Sequence, residues 1–378
     1  MKIFIYLIVG LLLLAGCSTP GSTPGDTSSD KETSIIDPAQ TESPDISITP
    51  ETPVTPGESP EETAETPAYE KPAEEILQET ISLVSDVPIV FMTTDISPEG
   101  LMAVYNALIF ESGKKPFGNV AVNVHTGESQ NSFHLRPDFI KELIHTVNGT
   151  FVETNVAYSG RRASTAKHLL LAEEHGFTAV APVDIMDANG YIEIPVIGGT
   201  HLSVNLVGAS LPEYDFIINL SHFKGHGMGG FGGALKNLSI GLASREGKSW
   251  IHTVGRSKSG FGMNTSAIDF AEAMAEAAKS VQDFMGSENI IHINVLNNIS
   301  VDCDCMANPK KPDMHDIGIL ASLDPVALDQ ASVDLIYAAP DGKSVVARIE
   351  SRSGVRIIEH AVSMGFGSQQ YKLVFIDG

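Results

Sequence analysis

The sequence predicts an α/β fold, a largely parallel or mixed sheet flanked by helices. Three observations carry that expectation. Near-continuous apolar runs of strand length recur, as in "NVAVNV" (119–124), "YDFIINL" (214–220) and "NIIHINVL" (289–296), and strands buried on both faces read this way. Helical periods stand between such runs, as in "RPDFIKELIHTVN" and "NTSAIDFAEAMAEAAKSVQDFM", the alternation of βα units. Cysteine is confined to Cys17, Cys303 and Cys305, so a disulfide framework is excluded and an apolar core must hold the fold.

Taken in order, the chain begins with Lys2 and the apolar run "IFIYLIVGLLLLAGC". The run is too short for a comfortable membrane span and has the charged start and apolar centre of an export signal. Its end, Leu14-Ala15-Gly16-Cys17, resembles the lipobox of bacterial lipoproteins. That resemblance implies a signal peptide over 1–16 and a lipid on Cys17, a diacylglycerol carrying acyl chains such as palmitate. An uncleaved anchor helix is the other reading. Both place the rest of the chain outside the cytoplasm, anchored to the bacterial cell membrane.

Residues 17–75 read as the lipidated cysteine and a disordered tether of Ser, Thr, Pro and Glu, a composition that cannot bury enough surface to fold. Such a coil spans roughly 40 Å. Residues 18–75 hold 14 acids against Lys31 and Lys71, a net of −12, so the chain's −23 leaves −11 for the remainder. A balance this acidic argues against nucleic acid as a partner.

Residues 76–378 are expected to form the α/β domain, as one large domain or two intimately joined subdomains. The segment "EKPAEEILQETISLVSDVPIVFMTT" reads as a helix followed by a strand. Further strands are expected over 149–155, 178–184, 191–197, 202–208, 317–322 and 371–376. Helices are expected in "STAKHLLLAEEHG", "DPVALDQASVDLIY" and "GVRIIEHAVSMG". Asp324 before Pro325 has the form of an N-cap with proline at the first helical position.

Three stretches carry residues suited to chemistry. The first, "SHFKGHGMGGFGGALKNLSIG" (221–241), follows a buried strand. His222, Lys224 and His226 alternate, so an extended backbone points all three the same way. The helix of "GALKNLSIGLAS" begins after the glycines. Strand, glycine-rich turn and helix start together make an anion site, because unpaired N–H groups and the helix dipole converge there. The expectation is that Gly229, Gly230, Gly232 and Gly233 close on an anionic group, Lys224 and Lys236 neutralise it, and His222 or His226 acts as acid or base. The alternative is a loop whose glycines only pack. A dinucleotide fingerprint is not expected, since no acid follows at the required distance.

The second stretch, "VDCDCMANPKKPDMHDIGILAS", follows a strand and carries Cys303 and Cys305. At a strand end both sulfurs can turn to one metal; packed thiols beside capping aspartates explain the pattern as well. A disulfide between positions two apart is expected to be strained. The third, "VNVHTGESQNSFHLRPDF", places His125 at the sheet edge where open α/β sheets bind ligands. Strands ending near Val124, Asn155 and Leu220 are expected to be neighbours, with His125, Asn155 and His222 opening into one cleft.

From about residue 115 onward the chain resembles the bacterial and archaeal family named domain of unknown function 362, often labelled iron–sulfur centre protein. The resemblance is carried by "VNVHTGE", "RPDFIKEL", "ETNVAYSGRR", "SHFKGHGMGGFGGALKNLSIGLASREGK" and "CDC…DIGILASLDPVALDQ". Its motif residues fall on His125, Asn155, His222, Lys224, His226, Lys236, Asn237, Lys248 and His252. Many members insert ferredoxin-like cysteine runs after the "GK…H" segment, and here that segment has none. A ferredoxin-type iron–sulfur cluster needs four thiolates and is not expected. The central motif is also distantly similar to the amino-terminal domain of nickel-pincer lactate racemases, which implies a bound phosphorylated cofactor.

Three functions follow. The first is an enzyme dependent on a metal or a phosphorylated cofactor. His222, His226 and His125 would be catalytic. Lys224, the glycines, Lys236, Asn237, Asn155 and Lys248 would hold the cofactor, and Cys303, Cys305 and His252 a divalent metal. The second is a lipoprotein that captures an anionic solute without catalysis. The third is an envelope scaffold whose motifs only pack.

Overall fold

A computed structural model describes residues 5–6, 87–262 and 264–377. The export signal apart from Ile5–Tyr6, the lipidation at Cys17, the tether and the helix expected before residue 86 lie outside the described residues. In chain order the strands are β1 (Ile5–Tyr6), β2 (Ile89–Thr93), β3 (Val120–Asn123), β4 (Thr150–Glu153), β5 (Val183–Ile185), β6 (Tyr191–Pro195) and β7 (Val204–Gly208). They continue with β8 (Phe216–His222), β9 (Lys224–His226), β10 (Gly230–Gly232), β11 (Ile290–Leu296), β12 (Gly318–Ser322) and β13 (Lys372–Phe375).

One mixed sheet runs β1-β13-β2-β12-β11-β8-β3-β4-β5. Its half from β11 to β5 is parallel throughout, while β12 is antiparallel to both β11 and β2. The strands ending near Val124, Asn155 and Leu220 are neighbours, in the order β8-β3-β4. The runs at 191–197 and 202–208 instead pair with each other as a separate hairpin, β6 with β7, and the run at 178–184 contributes only β5, because residues 177–179 form a 3-10 turn.

The helices are α1 (Pro98–Ser112), α2 (Pro137–Thr146), α3 (Thr165–Glu174), α4 (Ala234–Lys236), α5 (Arg245–His252), α6 (Ala267–Met285), α7 (Pro325–Ala338), α8 (Lys343–Ser351) and α9 (Arg356–Ser363). Helices cover both faces. Leu101 and Leu108 of α1 and Ile140 of α2 join Ile218 and Ile293 in the core on one side; Leu235, Met274, Leu328 and Ile358 join Ile217 and Ile290 on the other. As the sequence suggests, Asp324 caps α7, accepting from Val326 N at 2.8 Å and Ala327 N at 3.0 Å, with Pro325 at the first helical position.

Strand periodicity puts Phe216, Ile218 and Leu220 of β8 on the first face and Asn219 on the second. There, register aligns Asn123 of β3, Asn219 of β8 and His292 of β11 in one row. All three are buried, and buried amides need partners. Asn219 donates to Ala234 O at 2.9 Å, Asn123 donates to Asn237 O at 3.0 Å, and Asn237 donates to Asn219 Oδ1 at 2.9 Å. The row therefore grips α4 and the residues after it. That segment is not the single helix the sequence suggests. It changes to a π-helical turn over Asn237–Gly241, which turns the Asn237 amide into the sheet.

Ahead of α4 the glycines have a specific task. Asp329, buried on α7, accepts from Ala234 N at 2.7 Å and from Leu235 N at 2.9 Å, and also from Asn294 Nδ2 at 2.9 Å. The helix start thus already holds an anion, the protein's own carboxylate. Burial pushes that carboxyl up to about 6 despite the three donors. A Cβ on Gly233 would lie 2.3 Å from Asp329 Oδ1, and one on Gly230, at φ +82°, would lie 2.7 Å from the Gly354 backbone. The expectation that Gly229, Gly230, Gly232 and Gly233 close on a ligand is corrected: Gly230 and Gly233 let backbone and carboxylate approach within the core, while a Cβ on Gly229 would meet Met274 Cε at 2.9 Å and one on Gly232 only the Lys236 side chain.

Gly233→Ala should therefore lower unfolding free energy by about 2 kcal/mol or more through overpacking. Gly232→Ala, whose Cβ would meet only Lys236 Cδ at 3.4 Å, should cost about 1 kcal/mol or less. Urea unfolding of the two variants checks this, and equal losses would refute the assignment.

Candidate functional site

The parallel strands deliver their following residues to one edge of the sheet, as the sequence suggests. His125 after β3, Thr154 and Tyr158 after β4, and Cys303 and Cys305 after β11 line a cavity of about 470 Å³. The lining also includes His226, the last residue of β9, Lys236 and Asn237 from the α4 segment, Lys248 and His252 from α5, and Arg348 from α8.

At the β4 end, Glu153 is buried among donors. Its carboxylate accepts from Arg162 Nη2 at 3.0 Å, from Thr126 N at 2.9 Å and from Thr126 Oγ1 at 3.0 Å, and contacts His168 Nε2. Burial pushes its carboxyl up, but Arg162 and His168 override this and hold it well below the usual carboxylate range. Arg162 Nη1 also donates to His125 Nε2 at 2.8 Å. Burial and that guanidinium hold the His125 ring neutral. His125 lines the cavity as expected, but its Nε2 is engaged by Arg162 rather than free for proton transfer.

Two lysines behave differently. Among the described residues the Lys236 ammonium has no hydrogen-bond partner, and burial, reinforced by Arg162, lowers it to about 8. Lys248 donates to Ala243 O at 2.8 Å and contacts Thr154 Oγ1, and burial lowers it to about 7. His252 Nδ1 donates to Lys248 O at 2.6 Å, which leaves the lone pair on Nε2. Burial lowers His252 to about 4, and its ring stacks on Phe270 at 4.6 Å. His226 Nδ1 accepts from Gly229 N at 2.8 Å, so the neutral ring carries its proton on Nε2. Burial, then Lys236 and His252, keep that ring neutral.

Several residues expected here lie elsewhere. His222 and Lys224 converge on Asp304, at 2.7 Å and 2.8 Å. His222 also contacts Asn297 O at 2.8 Å, and Lys224 donates to Phe133 O at 3.1 Å. Neither lines the cavity. After β8 the chain leaves the large sheet and β9 pairs with β10 instead; of the alternating triplet, His222 and Lys224 anchor the loop after β11, and only His226 faces the site. Asn155 donates to Asp187 Oδ1 at 3.0 Å and to Thr165 Oγ1 at 3.0 Å. It braces the loop after β4, outside the lining. Of the glycines from Gly225 to Gly233, Gly227 alone lines the cavity.

Cys303 and Cys305 are joined as a disulfide. The histidine beside them is His226, not His252: one nitrogen of the His226 ring and both sulfurs lie within 4.8 Å of one another. That spacing is compatible with a metal ion. Two features oppose it in the oxidised chain, since the sulfurs are bonded to each other and His226 Nδ1 accepts a backbone N–H, whereas a metal-bound imidazole ordinarily donates from its second nitrogen.

Sequence reasoning left Arg162, Glu153, Tyr158 and Arg348 unassigned. The pair Arg161-Arg162 soon after a strand end was a usable signal for the first. Arg348 sits on a helix like many solvated arginines, and only packing brings its Nη1 to Val301 O at 2.8 Å.

No curated protein matches the sequence. Among solved structures, the lactate racemase apoprotein from Thermoanaerobacterium thermosaccharolyticum is similar over 65% of this chain and 56% of its own, at 15% identity and a TM-score of 0.37. A Thermotoga maritima protein is similar over 70% of this chain and 59% of its own, at 10% identity and a TM-score of 0.36. The chain thus spans less than two thirds of either neighbour. The family model described as "Domain of unknown function (DUF362)" matches residues 120–334, more than half of the sequence, and the chain belongs to that family.

Proposed function

We propose that the protein is an enzyme of the cell envelope that binds a small carboxylate or phosphate anion in this cavity and moves a proton on it. The anion is the substrate itself or the phosphate of a cofactor. One observation carries the reading. In a chain of net charge −23, the cavity is lined by Arg162, Lys236, Lys248, Arg348 and Arg352 against only Glu153 and Asp302. Glu153 is committed to Arg162 and His168, so Lys236 is left unneutralised, and like charges desolvated together favour an anion between them.

Lys236 and Arg162 would hold the anion. Lys248, lowered to about 7, is suited to give and take a proton near neutrality. His252 Nε2 offers a second lone pair on the same wall. The lipid on Cys17 and the tether would hold this domain outside the cytoplasm. That tether also favours a second reading, capture of an anionic solute without chemistry.

Calorimetric titration with inorganic phosphate and with two- to four-carbon carboxylates tests the binding. Lys236→Met should weaken the preferred anion about 10- to 100-fold, the range for a charged hydrogen bond. Unchanged affinity would reject the site. Deuterium exchange from heavy water into a bound carboxylate tests the chemistry. Lys248→Met should abolish exchange while leaving the dissociation constant within a few-fold, and binding without exchange in the parent chain supports the capture role instead.

The depressed lysines also set a pH signature. In the unfolded chain both titrate near about 10.4, so between roughly pH 7 and 10 the unfolded state holds more protons, and stability rises with pH. The ligand-free protein should melt higher at pH 9 than at pH 7, and Lys248→Met should flatten that rise. Anion affinity should run the opposite way, falling above about pH 8 as Lys236 loses its charge.

A further inference from the structure

The Cys303–Cys305 disulfide is poorly explained as a structural staple. Cross-links stabilise mainly by shortening the loops of the unfolded chain, and this one spans a sequence separation of 2. It lies on the wall of the functional cavity rather than in the core. Cys303 is buried, and Cys305 is partly accessible.

Its surroundings suit a thiolate. The tautomer of His226 leaves an Nε2–H donor on a ring within 4.8 Å of both sulfurs. Arg348 and Lys236 line the same space, and neighbouring cations stabilise thiolate over thiol. The aspartates that alternate with the cysteines are tied independently of the S–S bond. Asp304 holds Lys224 and His222. Asp302 accepts from Lys310 N at 3.0 Å, and its backbone oxygen accepts from Ser300 Oγ at 2.9 Å. Opening the bond would leave both sulfurs held in place.

We propose that Cys303 and Cys305 form a reversible two-electron thiol–disulfide pair that exchanges with an external dithiol entering the cavity. A thiolate of the dithiol attacks Sγ of Cys305, the accessible sulfur, forming a mixed disulfide and releasing Cys303 as a thiolate beside His226. The second thiol of the partner then displaces Cys305. The partner leaves oxidised as a disulfide, its two protons pass to the cysteines or to solvent, and the chain is reduced by two electrons. This exchange is independent of which anion the cavity binds.

The test equilibrates the full chain, natively folded, with graded ratios of reduced and oxidised dithiothreitol, followed by alkylation and intact-mass measurement. The expected result is a reversible transition between zero and two added alkyl groups, with unchanged circular dichroism and Cys305 alkylated before Cys303. His226→Gln should slow alkylation of the reduced chain at neutral pH by about tenfold. Reduction only in denaturant would overturn the proposal, as would two free thiols persisting under oxidising conditions. So would tight uptake of Zn²⁺ alone by the reduced chain with protection of both thiols, which would mark a metal centre instead.

Discussion

The buried hydrogen-bond network of the Asn123, Asn219 and Asn237 amides, with the carboxylate of Asp329 beside it, is the constraint on which the site depends. Each group is removed from water, where an unmet hydrogen bond costs about 1–3 kcal/mol, so the partners have little freedom to move separately. The network ties α4 and the π-turn to β3 and β8, and Asp329 ties the start of the same segment to α7. Lys236 lies between these two clamps, and its side chain lines the cavity. A polar network in the core thereby positions a charge that makes no hydrogen bond of its own among the described residues.

A second carboxylate organises the other wall in the same manner. Asp304 draws in His222 and Lys224, which override the effect of its burial and hold it far below the usual carboxylate range. A buried pair of this kind adds little net stability over apolar packing, but loss of either partner is strongly destabilising. Its value here is geometric. It fixes the loop after β11 against β9, and the two sulfurs ride on that loop.

The charges of the cavity sort by commitment. Arg162 is compensated by Glu153, and Arg348 partly by Asp302 at 3.5 Å. Among the described residues Lys236 and Lys248 have no carboxylate within salt-bridge distance, and burial lowers both. Preorganised but uncompensated charge in a desolvated space costs stability in the free protein and favours an anion when one arrives. Binding and folding therefore respond to pH in opposite senses at the same lysines.

Much of this was legible in the residues themselves. Continuous apolar runs such as "YDFIINL" gave away two-sided burial, and the adjacency of the strands before Val124, Asn155 and Leu220 followed from a parallel sheet. The placing of His125 and the cysteines at one edge rests on the same logic, because strand ends in such a sheet point one way; His226, Lys236 and Lys248 reach the cavity from a separate two-stranded sheet and two helices. The assignment of partners was not legible. Period-two spacing put His222, Lys224 and His226 on one side, yet the first two go to Asp304, a residue 80 positions from Lys224, and only His226 reaches the cavity. Strand, glycines and helix start together read as an anion site, and the anion proved to be Asp329, 95 positions from Ala234. Local sequence determines which groups need a partner; only the tertiary structure decides whether that partner is a ligand or another part of the chain, because burial makes the nearest available group, however distant in sequence, satisfy them first.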